Sequence, residues 1–216
     1  RDSMKEIAIY GFGGFGREVA CLIRKINERQ PRWKFIGYFD DGHAAGERNA
    51  YGEVLGGMET LNGWPRELDV AFAIGSAPVL RRLTARVVNP RVGFPNLIAP
   101  DVLFFDRDSV TMGRGNLLTF GCRLSCGVTL GDFNILNGRV SLGHEASLGD
   151  CNVLFPETRL SGEVRVGDGN FFGARSFVMQ GVHIGDDTRI AAGSFVLRRT
   201  RDGNLYAGNP ATIVKI

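Results

Sequence analysis

Two kinds of periodicity in this 216-residue chain predict an α/β domain followed by a parallel β-helix. The first part alternates apolar strand-like runs with amphipathic stretches, and a glycine-rich turn follows the first strand. The second part repeats an apolar residue at every sixth position. We therefore expect one domain over residues 1–96 and a second over residues 97–216.

The N-terminal elements follow one another as strand, glycine turn and helix. Lys5 to Tyr10 is an apolar strand, residues 11–16 read GFGGFG, and residues 17–27 place apolar side chains on one helical face. Runs at 35–39 and 70–74 predict two more strands, and residues 78–88 predict a further helix.

The glycine turn fits the pattern G-x-G-x-x-G, with Asp40 following 24 positions after Gly16. This arrangement places a phosphate on a helix N-terminus and a ribose or base on a carboxylate. A full dinucleotide fold needs two such halves, whereas only about 95 residues precede the β-helix. The sequence favours a mononucleotide on a single Rossmann-like half, and a purely structural strand-to-helix turn is the alternative.

The six-residue stripe runs from Met112 to Val196 through fifteen apolar residues. An α-helical period of 3.6 residues cannot keep such a stripe in phase, so the pattern predicts a triangular β-helix of three hexads per coil, called the prism below. Fifteen hexads make five coils. A Gly-Asp pair recurs every eighteen residues and marks one corner of each coil; the pairs begin at Gly131, Gly149, Gly167 and Gly185.

Composition excludes several classes of function. The net charge is +3 with scattered basic residues, so we expect no nucleic-acid partner. No apolar run is long enough to span a membrane. Four cysteines without a C-x-x-C pair, and no apolar signal segment before Met4, predict reduced thiols in a cytoplasmic protein.

Histidine is scarce, which makes its three positions informative. His43 falls in a predicted loop, and His183 lies between two inward positions of the prism and should point outward. His144 falls near a predicted corner and precedes Glu145, and an imidazole beside a carboxylate is a general-base arrangement. Adjacent strand residues face opposite ways, so Glu145 can assist only if the corner turns it back.

Several motifs in sequence resemble one family of bacterial sugar acetyltransferases. The motifs are the prism repeats, LGHE at 142–145 with Asn137 seven residues before the histidine, YGFGG at 10–14, the aspartate pair at 40–41, AIG at 73–75 and YAGNPA at 206–211. The closest group is that of sialic acid O-acetyltransferase and UDP-N-acetylbacillosamine N-acetyltransferase, and the resemblance covers essentially the whole chain. It implies a left-handed prism, a homotrimer and acetyl-CoA as the acetyl donor.

The resemblance also implies roles for individual residues. His144 corresponds to the general base and Glu145 to the acid that increases its basicity. The positions that correspond to the nucleotide-sugar acceptor site are Gly13, Gly14, Phe15, Asp40, Asp41 and Gly75, together with Asn137 near the reacting group. Ala174 and Ala192 correspond to positions that hold acetyl-CoA, and no metal ligands are implied. Phe15 and Val153 stand where family members commonly carry histidines.

The resemblance therefore implies an acetyl-CoA-dependent acetyltransferase of polysaccharide biosynthesis that acts on an amino or hydroxyl group of a nucleotide-linked sugar. Direct transfer is favoured because no marked nucleophile adjoins His144, although Ser141 and Cys151 stay open as acyl carriers. The alternatives are acetylation of a free sugar such as sialic acid and a non-catalytic trimeric assembly module. A prism-type carbonic anhydrase lacks a third histidine ligand, and a nicotinamide-dependent oxidoreductase would leave the hexads unexplained.

Overall fold

The computed structural model describes residues 4–215 and contains an α/β domain followed by a left-handed parallel β-helix. Residues 1–3 and 216 of the two expected domains lie outside the described residues. The expected division after residue 96 falls between the strand Val92–Gly93 of the N-terminal sheet and the strand Leu97–Ile98 of the prism.

The N-terminal domain is a parallel five-stranded sheet in the order β3-β2-β1-β4-β5, with three helices. Its elements are β1 (Lys5–Tyr10), α1 (Gly14–Arg29), β2 (Trp33–Phe39), β3 (Val54–Gly56), α2 (Met58–Asn62), β4 (Leu68–Phe72), α3 (Ala77–Arg86) and β5 (Val92–Gly93). The predicted strands and helices correspond to β1, β2, β4, α1 and α3. The sequence did not predict β3, α2 and β5, because elements of two to five residues are too short to show a period.

The prism consists of three sheets of short strands, which we call face 1, face 2 and face 3 in the order in which each coil visits them. Face 1 contains Leu97–Ile98, Leu117–Leu118, Ile135–Leu136, Val153–Leu154, Phe171–Phe172, Arg189–Ile190, Leu205–Gly208 and the antiparallel Ala211–Ile213. Face 2 contains Leu103–Phe104, Arg123–Leu124, Ser141–Leu142, Arg159–Leu160, Phe177–Val178 and Phe195–Val196. Face 3 contains Thr111–Met112, Thr129–Leu130, Ser147–Leu148, Arg165–Val166 and His183–Ile184.

The apolar stripe fills the prism as predicted. Fourteen of its fifteen residues are buried, and Met112 is half-buried against the same cluster. The prism begins earlier than the predicted stripe. Two further strands, which start at 97 and 103, precede the strand Thr111–Met112 and form one coil with it. The eight-residue step from 103 to 111, which includes a short 3₁₀ turn, breaks the six-residue period and hides these two strands in the sequence.

The recurrent Gly-Asp corner is a ladder of hydrogen bonds between coils. Each aspartate accepts a bond from the backbone N–H of the aspartate one coil earlier, as Asp168 does from Asp150 at 2.7 Å. A side chain on Gly149 would collide with the Asp168 carboxylate, which explains why glycine precedes each aspartate. A second ladder of buried asparagines lies inside the prism, and its members are Asn116, Asn134, Asn152 and Asn170.

The N-terminal domain covers face 1 of the prism and leaves the other two faces open. Outward residues of face 1, including Leu117, Ile135 and Val153, are buried in the same apolar cluster as the N-terminal sheet. The outward residues of face 3 are polar, and His183 is among the exposed ones, as predicted. Face 2 is open but partly apolar; the exposed apolar side chains on it or beside it are Leu103, Phe105, Phe120, Met179 and Phe195.

Candidate active site

The predicted acceptor residues of the N-terminal domain meet at one edge of its sheet. Gly13 and Gly14 follow β1, Asp40 and Asp41 follow β2, and Gly75 comes shortly after β4. Because β2, β1 and β4 are adjacent parallel strands, their carboxyl ends lie side by side. Ligands of open α/β sheets bind at this edge.

The four glycines of the turn serve two purposes. Gly11 and Gly16 are packed so tightly that a side chain on either would strike the backbone; on Gly11 it would stand 2.5 Å from the Ala73 carbonyl oxygen, and on Gly16 it would strike the Gly11 carbonyl. Gly13 and Gly14 are exposed, and nothing lies within 4 Å of a side-chain position on Gly13. The turn is therefore structural at its two ends and open to a ligand in its middle.

The N-terminus of α1 suits an anion. Gly13 is its N-cap, without a capping side chain, and no acidic residue lies in the first turn. The Arg17 guanidinium, which sequence reasoning missed, lies 3.8 Å from the side-chain position of Gly14. Its spacing of three residues from Gly14, one helical turn, was the available signal. Phe15 is half-buried against the N-terminal core.

The two aspartates fasten the loops around this edge. Asp40 accepts hydrogen bonds from the backbone N–H of Phe12 (2.9 Å) and of Gly42 (2.7 Å). Asp41 accepts bonds from the Met58 N–H (2.9 Å), at the start of α2, and from the Tyr10 hydroxyl (2.7 Å). Both carboxylates therefore hold the backbone in place, a structural role that the sequence did not reveal.

These contacts shift the titration of the Tyr10–Asp41 pair in opposite directions. The Met58 N–H, followed by the Tyr10 hydroxyl, lowers the pKa of Asp41. Burial, followed by the hydrogen bond to Asp41, raises the pKa of Tyr10. The pair stays a phenol donating to a carboxylate at neutral pH.

His144 lies at the corner between face 2 and face 3, which we call the His144 corner (residues 143–145). Glu145 has a left-handed backbone conformation, with φ of +52°, and its carboxylate hydrogen-bonds the His144 Nδ1. The corner thus meets the condition set by the sequence, because it turns Glu145 back toward the imidazole. When Nδ1–H donates to the carboxylate, Nε2 carries the free lone pair of a base.

Backbone bonds fix this corner between neighbouring coils. The Glu145 N–H donates to the Cys126 carbonyl (2.9 Å), and the His144 carbonyl accepts from the Glu163 N–H (2.7 Å). The His144 and Glu145 side chains are 47% and 59% exposed, so a reactant can reach the imidazole. His144 lines a cavity of about 510 Å³ on face 2 together with Ser141, Arg159 and Gln180.

The two candidate acyl carriers differ in their position relative to His144. Cys151 is buried at the boundary with the N-terminal domain, and burial raises its pKa, which opposes thiolate formation. Ser141 lines the same cavity as His144, but among residues 4–215 no serine or cysteine side chain hydrogen-bonds the imidazole.

Asn137 lies at the opposite edge of face 2 from His144, at the corner between face 1 and face 2 (residues 137–138), which we call the Asn137 corner. Strand Ser141–Leu142 lies between the two corners, and the seven residues from Asn137 to His144 can span at most about 23 Å at ~3.3 Å per residue. Phe155, one coil beyond Asn137, lies 3.8 Å from the side-chain position of Gly75. The Asn137 corner therefore adjoins the acceptor edge, and one chain does not bring Asn137 and His144 together.

Ala174 and Ala192 stack on this same edge of the prism. Ala174 is half-buried, Ala192 is exposed, and the Gly193 N–H donates to the Ala174 carbonyl (2.8 Å). Small side chains leave the corner backbone open to an extended ligand. Val153 is buried between face 1 and the N-terminal domain, so it is not at the surface that these alanines line.

Over residues 4–215, no group of three or more histidine, cysteine or acidic side chains could hold a metal ion. None of the helices in this range is long and apolar enough to cross a membrane.

Comparisons with known proteins agree with both parts of the chain. The PglD N-terminal domain model matches residues 6–87, and the model for the hexapeptide repeat of succinyl-transferase matches residues 163–198. The search of curated proteins found no match.

Solved structures match the whole chain. The acetyltransferase domain of PglB from Neisseria gonorrhoeae FA1090, in complex with acetyl coenzyme A, is 25% identical with a TM-score of 0.88, over 98% of this chain and 100% of that chain. PerB from Caulobacter crescentus, in complex with CoA and GDP-perosamine, is 26% identical with a TM-score of 0.87, over 99% of both chains. WeeI from Acinetobacter baumannii AYE, at 23% identity and a TM-score of 0.86 over 98% of this chain and 100% of that chain, shares the fold.

Proposed function

We propose that this chain, which belongs to the hexapeptide-repeat sugar acetyltransferases with a PglD-type N-terminal domain, transfers acetyl from acetyl-CoA to an amino group of a nucleotide-linked sugar. The observation that carries the proposal is the His144–Glu145 pair, in which the carboxylate holds Nδ1 and leaves Nε2 free. PerB, which matches over the whole chain, was solved with both CoA and a GDP-linked sugar.

In the proposed reaction, His144 Nε2 takes a proton from the sugar amine as the nitrogen attacks the thioester carbonyl carbon. The amine must be neutral to attack, because its lone pair forms the new C–N bond. The C–S bond then breaks, and the imidazolium returns the proton to the departing CoA sulfur. Glu145 orients the ring and stabilises the imidazolium, and it carries no proton in the reaction.

The acceptor occupies the carboxyl edge of the N-terminal sheet. Its phosphates lie over Gly13 and Gly14, where the N–H groups of α1 and the Arg17 guanidinium supply positive charge. The loops that Asp40 and Asp41 fasten surround the base or ribose, beside Phe15. The sugar extends past Gly75 toward Asn137, and acetyl-CoA lies along the corner backbone at Ala174 and Ala192.

A second copy of the chain completes this site. Because His144 and the acceptor edge lie at opposite edges of face 2, packing the open faces of three chains about a threefold axis brings the His144 corner of one chain to the Asn137 corner of the next. The exposed apolar side chains around face 2 support this assembly. Sedimentation should give a homotrimer, and a monomer at micromolar concentration contradicts it.

The cellular setting follows from the substrates and the thiols. Acetyl-CoA and nucleotide sugars are cytoplasmic metabolites of polysaccharide biosynthesis, and the four cysteines are free thiols, which supports a reducing compartment.

The test is a CoA-thiol release screen with acetyl-CoA and four acceptor sets. The sets are UDP-, GDP- and dTDP-linked 4-amino sugars, their 4-hydroxyl analogues, free sialic acid, and no acceptor. We expect release with an amino sugar only. Release with the hydroxyl analogues or sialic acid alone would replace N-acetylation by O-acetylation, and no release with any acceptor would favour a non-catalytic assembly module.

A further inference from the structure

Gly162 lies on the same edge of the prism as His144, at the equivalent position one coil later. The same corner position repeats every eighteen residues; it carries Cys126 two coils before Gly162, His144 one coil before it and Gln180 one coil after it. Gly162 is not among the residues with positive φ, so its backbone conformation is one that any side chain adopts. Nothing in the local conformation explains why this coil carries glycine.

The His144 ring, which packs against Gly162, explains the glycine. A side chain built there meets three nearest atoms, and all of them belong to the His144 ring: Nε2, and Cδ2 and Cε1 at 2.7 Å each. Real side-chain carbons do not approach this closely, so a methyl group and the ring cannot share the space. Gly162 is buried although the corner faces solvent, because the imidazole covers it.

Other glycines of the prism have a different obstacle. A side chain on Gly131 or Gly149 would collide with the aspartate ladder and the next coil's backbone, and one on Gly143 would strike the backbone at Gly162. At these positions the obstacle is a neighbouring coil and not the imidazole. Gly162 differs because the three atoms nearest to a side chain there all belong to the proposed base.

We propose that Gly162 is a positioning residue for His144, an inference that rests on the proposed function. The imidazole packs directly against the Gly162 Cα while Glu145 accepts the hydrogen bond from Nδ1. A methyl group at residue 162 displaces the ring from this position. The displacement either breaks the Glu145 contact or covers Nε2, the nitrogen that takes the proton. The fold of the corner is unaffected, because the neighbouring coils carry side chains at this position.

The experiment is a double-mutant cycle on the assembled protein with Gly162→Ala, His144→Ala and the double variant. We expect Gly162→Ala to lower kcat by roughly tenfold or more, with the KM for acetyl-CoA within threefold and the Tm unchanged. In the His144→Ala background the same substitution should have no effect on kcat, because no ring remains to be displaced.

The other outcomes distinguish an error in the positioning role of Gly162 from an error in the proposed role of His144. If His144→Ala lowers kcat and Gly162→Ala does not, the positioning role is wrong while the proposed function stands. If Gly162→Ala lowers kcat equally in both backgrounds, or prevents folding even when residue 144 is alanine, the glycine serves the backbone and not the histidine. If His144→Ala leaves kcat within threefold, the proposed base itself is wrong.

Discussion

The two corners that bound face 2 differ in their surroundings although they belong to the same repeat. The Asn137 corner adjoins the N-terminal domain, whose Gly75 meets Phe155 one coil away. The cavity at the His144 corner is lined by residues of the prism, and its imidazole and carboxylate are about half exposed. The proposed base is therefore exposed to solvent, and the proposed acceptor edge has no base beside it in the same chain. This difference points to a site shared between chains.

Removing the base should have the largest effect. His144→Ala should lower kcat by roughly 10²- to 10⁴-fold, the range of general-base catalysis, while acetyl-CoA binding and Tm stay unchanged. His183→Ala is the matched control, because His183 is exposed on face 3 and should leave kcat within threefold. Steady-state kinetics with saturating acceptor measure both. A solvated corner histidine without a role would give the two variants equal rates.

A side chain in the glycine turn should raise the KM for the acceptor and leave kcat unchanged. A side chain on Gly13 meets nothing in the protein, so Gly13→Ala should fold normally and collide only with a bound phosphate. We expect the KM for the acceptor to rise roughly tenfold, about 1.4 kcal/mol, with the KM for acetyl-CoA unchanged. Gly63→Ala, at the end of α2, is the control. An equal rise in both KM values would mean that the acceptor does not bind at the glycine turn.

The carboxylate beside the base should matter less than the base. Glu145→Gln keeps the imidazole but weakens its orientation and the stabilisation of the imidazolium, so kcat should fall roughly tenfold. Glu163 occupies the equivalent position one coil later with the same left-handed conformation, and Glu163→Gln should leave kcat unchanged. If the two variants behave alike, Glu145 has no special function.

The smallest expected effect concerns the pH dependence of stability at the acceptor edge. The pKa of Asp41 is lowered in the folded state, so its contribution is complete above the unfolded pKa of about 3.9 and is lost as the pH falls through the lower folded pKa. Urea unfolding between pH 5 and pH 3 should show a smaller loss of stability in Asp41→Asn than in the wild type. Parallel curves would remove Asp41 from this role.

The sequence predicted most of the fold because period six is visible residue by residue, and it failed where the period is interrupted. The two strands before Met112 were missed since the strand Thr111–Met112 begins eight residues, and not six, after the strand Leu103–Phe104. The asparagine ladder was missed although Asn116, Asn134, Asn152 and Asn170 repeat every eighteen residues.

Contacts in the candidate site were also hard to predict from the sequence. Sequence reasoning found His144 and Glu145 as neighbours, but their contact depends on the left-handed corner, which only the backbone reveals. It placed Asn137 near the reacting group, seven residues from the base, and could not show that a whole face separates them within one chain. Gly162 and Arg17 were missed because their importance lies in contacts across a coil and across a helical turn.

The central claim, that each site joins the His144 corner of one chain to the acceptor edge of another, is tested most directly by mixing. His144→Ala chains, which lack the base, are co-expressed with Gly13→Phe chains, in which a large side chain blocks the glycine turn. If sites form between chains, random assembly leaves about one quarter of the sites with both halves intact (½ × ½), so the mixture should recover about a quarter of wild-type activity. If both halves act within one chain, no intact site can form, and activity no higher than that of the two parents contradicts the account.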